Sequence, residues 1–387
     1  MSSLIGSIFL VQNLLKFSRR NYFPKTISLF SFLIKLLHYS EGKFFWRSLA
    51  GLMLLSWALS LPVLGQKRLT RFEYNQQHMG TLFRIVLYAP DSTLAGKAAR
   101  GAFNRIAALN QILSDYLPES ELNKLSRTAG SDQWVPVSKD LWYLLAKSVQ
   151  VSRRTQGAFD ITVGPYVQLW RRARRQEVLP NPEALAQASQ AVGYQHLKLN
   201  NKNRTVQLAV PNMQLDMGAI GKGYAVDEAL RVIKEQGIKS ALVDGGGNIV
   251  VSRPPPGTKG WRVSLGISAS SDTTRQLQLL LKNQAVASSG DLYQYLFLNG
   301  IRYSHIVNPF TGLGLTDQSR VTVVAPDGLT TDWLSTAVSV LGPEKGLALV
   351  NKTPGSAASF IRQENNQVKQ WLSRRFKKIA ARAQVPE

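Results

Sequence analysis

Between His78 and Tyr88, apolar and polar residues alternate through Leu82, Arg84, Val86 and Tyr88, which is the period of a strand. From Ser92 to Leu113 apolar residues recur at three and four spacings, predicting a helix with Ser92 as its cap. The same spacing predicts helices from Asp140 to Thr155 and from Pro180 to Val192, the latter opened by Asn181-Pro182-Glu183. Two short runs, Leu197 to Asn200 and Thr205 to Val210, predict a hairpin turning at 200–203. A further helix is expected from Gly223 to Gln236, closed by Gly237. Ser240 to Val243 and Ile249 to Ser252 flank a glycine run at Gly245, and Pro254 to Gly257 is a turn. Trp261 to Ile267, Leu277 to Leu281 and Arg320 to Val324 alternate as strands, and Thr331 to Leu341 reads as a helix. Strands and helices mix without a regular β-α-β order, so the predicted class is α+β.

The first 65 residues have a different texture. Three apolar stretches follow one another: Leu4 to Leu15, Ile27 to Leu37, and Ser48 to Leu61 behind the basic Lys43-Phe-Phe-Trp-Arg47. None clearly reaches the roughly 20 apolar residues of a comfortable membrane-spanning helix. The third has the charged start, apolar middle and small residue near its end that a signal peptide needs. The expected organisation is a dispensable or mis-started leader over 1–42, then a signal peptide or membrane anchor over 43–65. A catalytic domain over 66–365 and a basic tail over 366–387 complete it. Export places the working protein in the periplasm or at the inner-membrane surface.

Composition narrows this picture. The formal charge of +23 favours phosphate or anionic membrane as contacts, or simply a solvated basic surface. No nucleic-acid module accompanies the charge, so nucleic acid is not an expected partner. The chain has no cysteine, which removes thiol catalysis, thiolate metal sites, disulfides and cysteine lipidation.

Four segments carry candidate chemistry. Leu215 to Tyr224 places three glycines, Asp216 and Lys222 at a strand-to-helix junction, where amide donors point at a phosphate; a tight turn with a surface lysine fits equally. Val243-Asp-Gly-Gly-Gly-Asn-Ile249 is a turn able to lie beneath a ligand, or a plain loop. Ser304-His305-Ile-Val-Asn308-Pro309 puts a histidine before a turn, as a catalyst or as a structural residue. Asp332 and Thr336 share one helix face, a pair that suits a hard cation or a capped helix start.

Read in order, these segments join His78-Met79-Gly80-Thr81, Leu113 to Leu122, Gln156 to Thr162 and Ser288-Ser-Gly-Asp291. The series resembles the FAD:protein FMN transferases, the ApbE-type family, over about residues 70 to 350. That resemblance implies one catalytic unit of T-fold-like architecture, with mainly antiparallel sheets packed against helices. It implies that Met79 and Tyr116 contact the flavin part of FAD, and that Ala158, Phe159 and Asp160 form the next wall. Asp216, Lys222 and Ile306 follow as further FAD contacts. The carbonyl of Ala219, with Asp332 and Thr336 and a contribution from Ser335, is the implied magnesium site. The implied reaction moves FMN from FAD onto a threonine of an acceptor flavoprotein or redox-complex subunit, releasing AMP. His305 is the candidate base, since an imidazole with an ordinary pKa of about 6.5 suits neutral pH; Asp291 or water at the metal is the alternative. A magnesium-dependent FAD pyrophosphatase and a non-catalytic flavin-binding protein are the competing readings. A monomer and a homodimer fit equally. Asn308 and Phe310 stand where relatives commonly carry Asp and Arg, and the lipid-attachment cysteine of many relatives is absent.

Overall fold

A computed structural model describes residues 68–387 except 267–275, 291–294, 365–366 and 381–387. The expectations for 1–65, and Asp291, lie outside the described residues.

The chain enters on a hairpin. Strand β1 (Thr70–His78) pairs antiparallel with β2 (Thr81–Ala89). Met79 and Gly80 make the turn with φ of 48° and 71°, the doubly left-handed geometry that matches strand twist. The single strand expected from His78 is therefore two, split at a methionine that carries no turn signal. Helix α1 (Ser92–Leu113) follows, and its cap is Asp91 rather than Ser92: the Asp91 carboxylate accepts from Leu94 N–H at 2.9 Å. A short α2 (Glu121–Ser126), a two-residue β3 (Val135–Pro136) and α3 (Lys139–Arg154) come next. Helix α4 (Gly164–Gln176) was not expected: between its arginines only Gly164, Tyr166, Trp170 and Ala173 are buried. Helix α5 (Pro182–Ser189) starts as predicted, Asn181 accepting from Ala184 N–H. The predicted hairpin is β4 (Leu197–Asn200) with β5 (Thr205–Leu208), joined by β3 in a three-stranded sheet.

Helix α6 (Gly221–Glu235) starts two residues before its predicted position and ends at Gly237, φ 82°. Then come β6 (Ser240–Gly245), β7 (Asn248–Val251), and the hairpin β8 (Trp261–Gly266) with β9 (Gln276–Leu281). Strand β10 (Gln284–Gly290), a second hairpin of β11 (Tyr295–Leu298) with β12 (Ile301–Ser304), and β13 (Ser319–Ala325) lead to helix α7 (Gly328–Asn351). The helix expected to end at Leu341 breaks there, at Gly342 (φ 75°) and Pro343, then resumes. Strands β14 (Ala357–Glu364) and β15 (Gln367–Leu372) and helix α8 (Arg374–Ala380) close the chain. Residues 367–380, expected as a basic tail, thus form a sheet edge and a helix whose Phe376 is fully buried.

The α+β expectation holds. Eight strands form one antiparallel sheet in the order β1-β2-β6-β7-β10-β13-β14-β15. Helices α1, α6 and α7 cover one face, where Ile85, Leu87, Val243, Val323 and Phe360 meet Ile106, Val226 and Leu334. The opposite face is covered by β8 and β9 and by Phe376, packed on Val86, Leu242, Val286 and Val324. A third, smaller core joins Tyr166 and Trp170 of α4 to Leu296 and Tyr303 of the β11–β12 hairpin. Among the described residues no helix is long and apolar enough to cross a membrane.

Candidate active site

Helices α6 and α7 pass antiparallel at a contact that only glycine permits. A Cβ on Gly223 would stand 2.2 Å from the carbonyl oxygen of Gly328, and one on Gly328 would stand 2.7 Å from that of Gly223. The close approach brings Asp332 of α7 to the first turn of α6, where its Oδ2 accepts from Gly223 N–H at 2.8 Å. In return, Asp227 of α6 accepts from Gly328 and Leu329 N–H at 2.7 and 2.8 Å.

Asp332 is buried and faces Lys222 and the side-chain amide of Asn248. Burial pushes its carboxyl above the ordinary value, and Lys222, the Gly223 N–H and Asn248 pull it back. The Oδ1 of Asn248 is buried with no hydrogen-bond partner in the protein, an acceptor left unsatisfied beside Asp332. Thr336, one turn beyond Asp332, is partly exposed, and its hydroxyl donates weakly to the Asp332 carbonyl at 3.3 Å. Ser335 is different: it is fully buried, paired with Ser289 of β10 at 2.7 Å and donating to the Asp332 carbonyl at 3.0 Å. Its hydroxyl ties α7 to the sheet. Ala219 lies in the loop before α6, partly buried against the main core. A carboxylate, a hydroxyl, a loop carbonyl and an unpartnered amide oxygen make an all-oxygen donor set of low charge, which fits magnesium. Among the described residues no group of three His, Cys, Asp or Glu offers a metal cage, so substrate phosphates would have to complete the shell.

The β1–β2 turn joins this region through the sheet. Phe83 of β2 pairs with Gly245 of β6, and a Cβ on Gly246 would meet Thr81 Oγ1 at 2.4 Å. Met79 therefore stands beside the 245–248 turn that carries Asn248.

A second wall is built on α4. The guanidinium of Arg171 pairs with Asp115, lies 3.5 Å from Asp216, and sits 4.0 Å from the centre of the Tyr116 ring. Asp216 accepts from Gly218 N–H at 2.7 Å, and Lys222 Nζ donates to the Gly218 carbonyl at 3.2 Å. Burial and then Asp115 raise the Asp216 carboxyl; Gly218 N–H, Arg171 and Lys222 oppose them.

The 156–162 loop offers less side chain than its residue types promise. Ala158 and Phe159 are buried, Phe159 in the main core, so their side chains are not open to a ligand. The Asp160 carboxylate is taken up by Thr162 N–H and hydroxyl at 2.8 and 2.7 Å and by Tyr194 N–H at 2.8 Å. It folds the loop. The loop from His305 to Gly314 lies against this wall: Phe310 is in contact range of Gly157, and Ile306 is buried behind it. His305 is exposed on that loop, directly after β12.

The structure thus gathers Asp216, Lys222 and Asp332 around the start of α6, with Ala219 in the loop before it, Thr336 one turn beyond Asp332, and Tyr116 linked to Asp216 through Arg171. Arg171 and Asp227 carry no motif, and Asn248 lies in the 243–249 segment without being singled out there. Arg171 is one of four arginines in 171–175 and only the fold tells it apart.

The ApbE family model matches residues 79–361. An FAD:protein FMN transferase of Klebsiella pneumoniae is 31% identical over 304 residues, covering 77% of this chain and 86% of that protein. One from Haemophilus influenzae is 29% identical over 340 residues, covering 86% and 97%. The flavinyl transferase ApbE of Pseudomonas stutzeri superposes with a TM-score of 0.70 at 29% identity, over 81% of this chain and 98% of that one. The flavin transferase ApbE of Vibrio cholerae gives 0.71 at 28%, over 80% and 99%. With the match spanning nearly every segment that builds the site, the chain belongs to the ApbE family.

Proposed function

We propose that this protein is a magnesium-dependent FAD:protein FMN transferase. The threonine hydroxyl of an acceptor protein attacks the FMN phosphorus of FAD; a new phosphoester bond forms, the pyrophosphate bond breaks, and AMP leaves. The observation that carries this reading is the start of α6: the buried Asp332 carboxylate, Lys222 and a partner-free Asn248 oxygen meet beside the Tyr116–Arg171–Asp216 cluster.

Asp332, Thr336 and the Ala219 carbonyl would hold magnesium, whose chemistry is to neutralise charge on a cleaving pyrophosphate. Lys222 steadies phosphate as a point charge, and the α6 amides face the same way. Tyr116 and Asp216 fix the flavin end, and Met79 and the backbone of 158–160 close the pocket. His305, exposed on its loop, would take the threonine proton from an incoming acceptor. The partner is an acceptor flavoprotein or redox-complex subunit. Export to the periplasm, at the inner-membrane surface, is supported by the residue pattern of 43–65.

Incubation of the purified protein with FAD, magnesium and a threonine-bearing acceptor tests the reading. Covalent flavin fluorescence on the acceptor with stoichiometric AMP is the expected result. Free FMN without labelled acceptor would make the protein a pyrophosphatase, and unchanged bound FAD would make it a carrier.

A further inference from the structure

Tyr116 is 73% exposed, the most exposed large apolar or aromatic side chain among those described. An aromatic ring so open ordinarily samples several rotamers, and ordering it on ligand binding costs affinity. Here one face of the ring lies on the Arg171 guanidinium, 4.0 Å away. The same guanidinium reaches two carboxylates on two other segments, Asp115 and Asp216. Arg171 itself is held by α4, whose neighbouring Trp170 is buried in the third core. One half-buried fork therefore links the neighbouring Asp115 and Tyr116 to Asp216, two places that local sequence does not tie together. Lysine cannot do this, because a point charge has neither the planar face nor the paired donors.

We propose that Arg171 is a positioning residue for FAD, holding the Tyr116 ring and the Asp216 carboxylate in register before the dinucleotide arrives. The inference rests on the flavin-transfer reading and adds a residue to it. Burial and Asp115 raise the Asp216 carboxyl, and Arg171 is one of the groups that oppose them. The groups facing Asp216 are Asp115 from the loop after α1, Arg171 from α4, Lys222 from α6 and the N–H of Gly218. Losing Arg171 leaves two neighbouring carboxylates with less cation between them, so Asp216 takes up a proton at higher pH. Losing Asp115 does the reverse: a like charge goes, and the fork is left to Asp216.

The test is FAD binding by flavin fluorescence from pH 5.5 to 8.5, with thermal melts as a check on folding. Wild type, Arg171→Gln, Arg171→Lys and Asp115→Asn are compared. Arg171→Gln is expected to weaken FAD binding roughly tenfold at pH 6 and less at pH 8.5, an effect the size of one lost charge-assisted contact. Its low-pH limb moves up. Arg171→Lys is expected to return that limb towards wild type while leaving affinity reduced, and Asp115→Asn to move it down. FAD affinity within twofold of wild type in Arg171→Gln overturns the proposal, as does a loss equal at every pH. Should Arg171→Gln fail to fold, an unmoved limb in Asp115→Asn overturns it. Failure of the wild type to bind FAD would bring down the transferase reading as well, whereas equal binding by wild type and variant would remove Arg171 alone.

Discussion

Asp227 and Asp332 occupy mirrored positions. Each projects from one of two antiparallel helices and accepts backbone N–H groups at the first turn of the other. The surroundings separate them. Asp227 uses both oxygens on α7 and faces the acidic Asp327 and Glu228; burial, followed by those neighbours, lifts its carboxyl to about 7. Asp332 accepts from the Gly223 and Lys222 N–H groups and from the Asn248 side chain, beside the Lys222 cation. The first junction is closed by its own hydrogen bonds. The second leaves the Asn248 Oδ1 without a partner next to a cation. A helix-capping device is identical at both ends, and what turns one copy into a site is the charge and open valence around it.

Matched substitutions at the two positions should break the comparison most sharply. Asp332→Asn keeps an acceptor for Gly223 N–H but removes the charge. FMN transfer and magnesium binding by calorimetry should both fall below detection, with a melting temperature at or above that of wild type, since a carboxyl whose charged form burial disfavours has been replaced by a neutral amide. Retained magnesium-dependent transfer would dismiss Asp332 as the metal ligand. Gly223→Ala comes next, because it strikes both junctions. Its Cβ would stand 2.2 Å from the Gly328 carbonyl, so the helices must part. Overpacking of this kind costs about 1–3 kcal/mol. A denaturation midpoint equal to wild type would show that the crossing is not tight.

Asp227→Asn should spare transfer and change stability with pH. The folded-state pKa of about 7 lies above the unfolded value near ~3.9. The native state therefore holds the proton more tightly, and this group's contribution is full below about pH 4 and lost as pH rises through 7. The asparagine variant should lack that decline, a difference in slope of at most about 1.4 kcal/mol per pH unit. Urea denaturation at pH 5 and pH 8 measures it; parallel curves for the two proteins would count against a buried, proton-holding Asp227.

How much of this contrast is readable in the sequence depends on periodicity and on what surrounds each residue. Helices α1, α3 and α6 are legible because each has one apolar stripe facing one core. Strands β10 and β14 are not, because successive residues in each are buried and alternation is lost. The β1–β2 turn is hidden because its first residue is methionine. At the site, residue type identifies Asp332, Thr336, Asp216 and Lys222, whose spacing already groups them. Type alone cannot give direction: Phe159 points into the core, Asp160 into its own loop and Ser335 into the sheet. Nor can it reveal Arg171 or Asn248, whose roles arise from segments far apart in the chain.

The smallest expected difference is between neighbours on α7. Thr336 and Ser335 both carry hydroxyls one turn from Asp332, yet only Thr336 keeps its side open. Thr336→Val keeps the shape and removes the oxygen, so half-saturation by magnesium should shift upward severalfold while stability barely moves. Ser335→Ala loses the 2.7 Å bond to Ser289, a cost of about 1 kcal/mol, and should leave the magnesium dependence of transfer where it was. If instead Ser335→Ala shifts the magnesium titration and Thr336→Val does not, the donor set must be drawn on the sheet-facing side of α7. In that case the contrast with Asp227 would rest on Lys222 and Asn248 alone.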